Sequence, residues 1–226
     1  AEGVGADSVA GAAEVGALAI EALGAAGAAG ISVDFTLPDL VDTLADGPFP
    51  LDPAAREAVR RELDMKDAGA LVAAGGAAYL PLIHAAGPFP EAAARLEALA
   101  SSDVLASRIA ALHAIAARVA GRARLTLDPS ERHGFEYQSW FGFTLYADGV
   151  RGALGRGGTY RIGGTDEVAT GFSLYPEELV EAVKAAEDLG RSVFLPLGHD
   201  AAAAAALRAE GWRTVAALSA ADDGAA

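Results

Sequence analysis

Few side chains in this sequence could hold a metal or attack an electrophile. Cysteine is absent, which excludes a disulfide framework, a thiolate zinc site and a cysteine nucleophile together. His84, His113 and His199 are scattered and never fall at a His-x-x-x-His spacing, so no metal is expected. Leu197-Gly198-His199-Asp200 opens a helical segment whose N-terminus can attract an anion, but Asp200 reads first as the N-cap that satisfies those same N–H groups. Gly157 and Gly158 suit close approach of the backbone to a pocket floor, and suit an ordinary strand connection nearly as well. Arg156 and Arg161 flank this pair, where each can meet a ligand carboxylate, meet an acidic partner or simply be solvated. The 17 Lys and Arg stand against 31 Asp and Glu, a formal charge of −14 that repels polyphosphate, so no nucleic-acid partner is expected.

The elements that must position these groups can be read from periodicity. A chain of 226 residues with 52% apolar and 21% charged side chains suffices for one core, with or without a small appendage. Val15, Leu18 and Leu23 lie near helical spacing between Ala12 and Ala26, and Ile31, Val33, Phe35 and Leu37 then alternate with polar residues as in a half-buried strand. Pro38 ends that strand and can open a helix. Residues 38–121 read as short helices beginning at Asp52-Pro53, Asp67, Pro90 and Ser101-Ser102-Asp103, the last with a stripe of Leu105, Ile109, Leu112, Ala116 and Val119. Strands follow at Leu125–Leu127 and Tyr137–Tyr146; Asp148-Gly149 predicts a two-residue hairpin returning antiparallel through Val150–Arg156. After a glycine-dense stretch come a segment Ala169–Tyr175 and a helix from Pro176 to Gly190. A minimal βαβ unit then follows: Ser192–Leu197, a helix over Asp200–Glu210, and Trp212–Leu218. Helix cluster, antiparallel sheet and helix together predict an α+β fold.

The uncharged stretch between Asp67 and Glu91 contains Gly75, Gly76 and Pro81, so packed helices are expected rather than a membrane span. The opening AEGVGADS lacks both an initiator Met and a basic-then-apolar leader, and an upstream part is expected to be missing. Together with the absence of cysteine, this fits a cytoplasmic protein.

Three segments carry a family resemblance. Arg132-His133-Gly134-Phe135-Glu136-Tyr137-Gln138-Ser139 resembles the histidine-binding signature of histidyl-tRNA synthetases, Arg-Gly-Leu-Asp-Tyr-Tyr-Thr-Gly. Leu154-Gly155-Arg156-Gly157-Gly158-Thr159-Tyr160-Arg161 is similar to their Gly-Gly-Arg-Tyr-Asp segment, and Ala169-Thr170-Gly171-Phe172-Ser173-Leu174 resembles the start of class II motif 3. At the front, Ala1-Glu2-Gly3-Val4-Gly5 and Ala13-Glu14-Val15 are similar to further segments of the family. The resemblance runs from Glu2 to about Leu179. It implies a class II aminoacyl-tRNA-synthetase-like antiparallel sheet with a helical insertion at about 38–121, forming a core over 1–190, followed by a reduced C-terminal βαβ unit over 191–226.

Two departures bear on activity. Alignment on Gly134 places His133 where the signature has arginine, and alignment on Gly171-Phe172 places Glu178 where motif 3 has its ATP-binding arginine. Unit charges about 4 Å apart interact by about 4 kcal/mol at an effective dielectric near 20, so Glu for Arg beside a triphosphate reverses the sign of a contribution that large. Transferring phosphate needs cationic stabilisation, so histidine activation is not expected. The pattern resembles the regulatory subunits of ATP phosphoribosyltransferase, synthetase paralogues acting in the first step of histidine biosynthesis. That resemblance implies a non-catalytic subunit without a cofactor, dimeric within a hetero-oligomer, that activates a short-form ATP phosphoribosyltransferase catalytic subunit and takes part in feedback control by L-histidine. Glu2, Tyr137, Gln138 and Tyr160 match positions in or beside the family's histidine pocket. There a carboxylate can pair with an ammonium or imidazolium, and phenol and amide groups can orient an imidazole. His133 is either a carboxylate contact or a relic, and Gly157 and Gly158 would form the pocket floor. A divergent histidine-tRNA ligase whose ATP-handling residues lie upstream is the alternative, and a paralogue with no ligand is a third reading.

Overall fold

A computed structural model describes residues 1–5, 7–99, 103–132, 137–175, 177, 179–180, 191–219 and 221–222. The chain divides into two units, Ala1–Ala182 and Val183–Ala226. The first is built on a seven-stranded sheet in the order β1-β7-β6-β5-β2-β4-β3. Its strands are β1 Glu2–Val4, β2 Ser32–Thr36, β3 Gly87–Pro88, β4 Arg124–Leu127, β5 Gln138–Tyr146, β6 Gly155–Arg161 and β7 Val168–Leu174. All pairings are antiparallel except β2 with β4, which are parallel. The sheet is therefore mixed. A helical crossover separates β2 from β4, and such a connection returns a strand in the same direction as the first.

One face of the sheet is apolar. Phe35, Phe141, Phe143 and Leu145 are almost fully buried there, with Phe35 packed 5.7 Å from both Phe89 and Phe141. Helices α1 (Val9–Ala25) and α7 (Asp103–Val119) pair with each other, and α1 also packs on β5, β6 and β7. Ser8 caps α1 by accepting from the Gly11 amide, and the buried Ala12, Ala13, Gly16, Ala17 and Ala19 allow close approach of its backbone.

The insertion contains α2 (Leu40–Ala45), α3 (Pro53–Asp64), α4 (Ala68–Ala73), α5 (Leu80–His84) and α6 (Phe89–Glu97). Asp52 and Asp67 cap α3 and α4 as the spacing predicts, each accepting from backbone N–H groups of the first turn. Pro38 lies before α2 rather than inside it, and Asp39 takes the N-cap position. Asp39 is instead bound through both oxygens by Arg108 of α7, at 2.6 and 2.9 Å. Tyr79 is buried and donates to the Phe49 carbonyl at 2.7 Å. The stretch also holds one strand, β3, which periodicity cannot reveal in two residues.

The chain does turn at Asp148-Gly149, where Val150 N–H donates to the Ala147 carbonyl at 3.4 Å and Gly149 has φ +76°, and returns antiparallel, but a two-residue hairpin is not formed. β5 ends at Tyr146 and β6 begins only at Gly155, so the return strand lies later than Val150–Arg156. The Asp148 amide donates to the Ala29 carbonyl at 3.0 Å, and its carboxylate occupies the space where Gly30 lacks a Cβ. A second turn then passes through Gly152, at φ +75°.

In the second unit, β8 (Ser192–Leu195) and β9 (Arg213–Ala216) form a parallel pair joined by α8 (Ala201–Ala209), the expected βαβ arrangement. Asp200 caps α8 by accepting from Ala202 and Ala203. The expected helix from Pro176 to Gly190 lies largely outside the described residues.

Candidate functional site

The face of the sheet opposite the phenylalanines is polar, and its cross-strand register sorts it into rows. Thr126, Asp34, Thr144, Arg156 and Ser173 face one another across β4, β2, β5, β6 and β7. Beside them run Thr36, Gly142, Gly158, Gly171 and Glu2. A third row joins Gln138, Tyr160, Ala169 and Val4. Three glycines stand side by side in the second row, and two of them, Gly158 and Gly171, let neighbouring parts of the chain approach the backbone closely.

Each glycine is matched to what lies against it. A Cβ on Gly157 would fall 2.3 Å from the Phe143 ring, on the apolar side. A Cβ on Gly158 would fall 2.2 Å from the Gln138 side-chain oxygen and 2.4 Å from the Phe141 carbonyl. The irregular register between Gln138 and Gly142 folds that part of β5 over Gly158. On Gly171 a Cβ would meet the Ala1 carbonyl at 2.7 Å, so only glycine lets β1 lie this close to β7.

Over this floor opens a cleft of about 430 Å³ lined by Glu2, Tyr137, Arg156, Gly157, Tyr160 and Ser173, together with Ala1, Gly171 and Phe172. Its size falls within the about 300–1,000 Å³ common for small-molecule sites. Glu2 is held in β1, whose ladder is extended by Phe172 N–H to Ala1 C=O at 2.8 Å and Gly5 N–H to Val168 C=O at 2.7 Å. The rings of Tyr137 and Tyr160 meet edge to face at 5.6 Å, and Tyr137 remains 64% exposed. Beneath them Thr159 and Thr170 share a buried hydrogen bond of 2.9 Å. Gln138 does not line the cleft. Its side chain is buried against Gly158, and its Oε1 has no hydrogen-bond partner among the described residues.

The structure thus gathers Glu2, Tyr137, Tyr160 and Gly157 around one cleft, whereas Gln138 and Gly158 pack on each other outside its lining. His133 and Glu178 lie outside the described residues. The two arginines left equivalent by sequence separate here. Strand alternation turns Arg156 toward the cleft, whereas Arg161 is exposed and reaches Asp166 at 3.4 Å. Ser173, Gly171 and Phe172 belong to the motif 3-like segment but were not legible as lining residues.

A second polar cluster, with no sequence signal of its own, adjoins the first row. Asp34 accepts from the Thr126 hydroxyl at 2.5 Å. Burial raises its pKa above the ordinary carboxylate range; the Thr126 bond opposes this, while Asp128 and Glu131 add to it. Burial also raises the Tyr146 hydroxyl, as does Asp34, and the Arg156 cation pulls the other way. Lys66 reaches across from the end of α3 to Asp128 and Ser130 at 2.7 and 2.9 Å. It does so from a left-handed backbone, φ +55°. Among the described residues, no group of three or more His, Cys, Asp or Glu could hold a metal, and no helix is long and apolar enough to cross a membrane.

A mixed sheet with helices on one face, a polar cleft on the other and a helical insertion is a class II aminoacyl-tRNA-synthetase-like fold. The family model described as histidyl-tRNA synthetase matches residues 1–179, and the chain belongs to that family. Within it, the resemblance to regulatory paralogues is borne out by curated relatives. The ATP phosphoribosyltransferase regulatory subunit of Rhodospirillum centenum is 41% identical, over 91% of this chain and 54% of its own length. The protein of the same name from Paramagnetospirillum magneticum is 37% identical, over 97% and 59%. The chain therefore spans a little over half the length of these relatives. Among solved structures, an ATP phosphoribosyltransferase regulatory subunit/histidyl-tRNA synthetase from Bacillus halodurans aligns with a TM-score of 0.72 at 18% identity, over 98% of this chain and 63% of that one. The ATP phosphoribosyl transferase (HisG:HisZ) complex from Thermotoga maritima gives 0.61 at 16%, over 76% and 64%.

Proposed function

We propose that this chain is the synthetase-like part of a non-catalytic regulatory subunit of ATP phosphoribosyltransferase, and that its cleft senses L-histidine. The observation that carries this reading is a cleft holding one carboxylate, one guanidinium and two phenols, in a chain whose curated relatives are named as regulatory subunits. Glu2 pairs with a cationic group of the amino acid, Tyr137 and Tyr160 orient its ring, and Gln138, expected beside them, packs on Gly158 behind the lining. Gly157 belongs to the cleft lining, with Gly158 next to it in β6. The protein acts in the cytoplasm as a homodimer within a hetero-oligomer, and activates a short-form catalytic subunit in the first step of histidine biosynthesis. Its domains are a synthetase-like core over 1–190 and a reduced C-terminal unit over 191–226.

Loss of catalysis is supported by the sequence, which has His133 and Glu178 where synthetases carry arginine. A histidine-dependent ATP–pyrophosphate exchange assay on the full-length protein tests it. No exchange is expected. Exchange above background would favour the divergent ligase, the reading that the family model's own description favours.

A further inference from the structure

Among the described residues around the cleft, Arg156 and Glu2 are the charged side chains, and they are of opposite sign. They sit in adjacent rows of the open face, with the glycine row between Arg156 and the Gln138–Tyr160 row. We propose that Arg156 is the specificity-determining residue of the cleft: it takes the α-carboxylate of the bound amino acid, while Glu2 takes its cationic group. The cleft then selects a complete zwitterion and not merely an imidazole ring. This rests on the histidine-sensing reading above and adds to it the group that reads the carboxylate.

Three observations point this way. Arg156 is half-buried, lines the cleft and stands in register between Thr144 and Ser173 on β6. A guanidinium presents five N–H donors in a fixed fork, so it can keep its contacts within the protein and still accept a carboxylate. The competing cation, Arg161, faces away and is engaged by Asp166. At the other end of the cleft, Glu2 is held in β1 as the carboxylate among the lining side chains.

The test is calorimetric titration of the full-length protein in complex with its catalytic subunit. The probes are L-histidine, L-histidinol, in which a hydroxymethyl group replaces the carboxylate, and imidazole. Wild type is expected to bind histidine about ten- to hundredfold more tightly than histidinol, the range of one charge-assisted hydrogen-bonded pair. Arg156→Gln is expected to lower histidine affinity by a similar factor and leave histidinol affinity unchanged, and Arg156→Lys to recover part of the loss. Equal binding of histidine and histidinol by wild type overturns the proposal even if Arg156→Gln fails to fold. So does an Arg156→Gln variant that weakens both ligands alike, because that is the mark of a structural residue. In either case histidine still binds and the sensing reading stands. If none of the probes binds wild type, the sensing reading falls and this proposal with it.

Discussion

Alanine at Gly158 and alanine at Gly157 are adjacent, chemically identical substitutions whose consequences should differ, because the two positions face opposite sides of the sheet. At Gly158 the new methyl lies 2.2 Å from the Gln138 oxygen and 2.4 Å from the Phe141 carbonyl. The amide can swing away. The carbonyl belongs to the backbone fold-over of β5 and cannot move without opening the ladder to β6. At Gly157 the methyl meets the Phe143 ring at 2.3 Å, inside a packed aromatic layer where Phe141 lies 5.7 Å away. Overpacking of either kind costs about 1–3 kcal/mol, and for a chain of this size each kcal/mol lowers Tm by about 2–4 °C. Both variants should therefore melt about 2–12 °C below wild type in calorimetry. Only Gly158→Ala disturbs the face of β6 that carries the cleft residues Arg156 and Tyr160, so in titration at a temperature where both are folded it should lose histidine affinity while Gly157→Ala retains it. A Gly158→Ala protein as stable as wild type would refute the steric argument. Equal histidine affinities in the two variants would refute the assignment of faces.

Other residues give separate tests. Asp34 has a pKa raised by burial, so its ionisation weakens the folded state as pH rises through that raised value; Asp34→Asn should be more stable than wild type at pH 7, with the difference shrinking as pH falls toward 4, in paired urea melts. Lys66 combines a left-handed backbone with bonds to Asp128 and Ser130. Lys66→Ala should cost about 1–2 kcal/mol, and Lys66→Gly less by about 1 kcal/mol, because glycine accepts that conformation freely. Phe143→Ala, at a fully buried core position, should cost about 3–5 kcal/mol by denaturant titration.

What the sequence made legible follows from how local each determinant is. The caps at Asp52, Asp67 and Asp200 are contacts within one turn, so residue type and spacing suffice to place them. β2 alternates cleanly and is found where periodicity puts it. β6 was placed too early because four of its first residues, Gly155 to Gly158, include three glycines, which weaken any strand signal. They are glycine because of Phe143, Gln138 and Leu174 on neighbouring strands, contacts invisible to a local reading. The parallel pairing of β2 with β4 is likewise a product of the crossover, not of either strand's composition. In the cleft, Glu2, Tyr137 and Tyr160 could be proposed from motif resemblance, but the choice of Arg156 over Arg161 needed the register that sets which side of β6 faces the ligand. Asp34 and its neighbours come from β2, β4 and the end of α3, far apart in sequence, and had no motif to announce them.

A regulatory subunit can transmit occupancy only if histidine binds two assembly states unequally, and the coupling is then reciprocal. The most direct measurement is histidine affinity by calorimetry for the full-length protein alone and again with its short-form catalytic subunit at saturation. The two affinities are expected to differ by about 5- to 150-fold. Measurable binding with the same affinity in both states would contradict it.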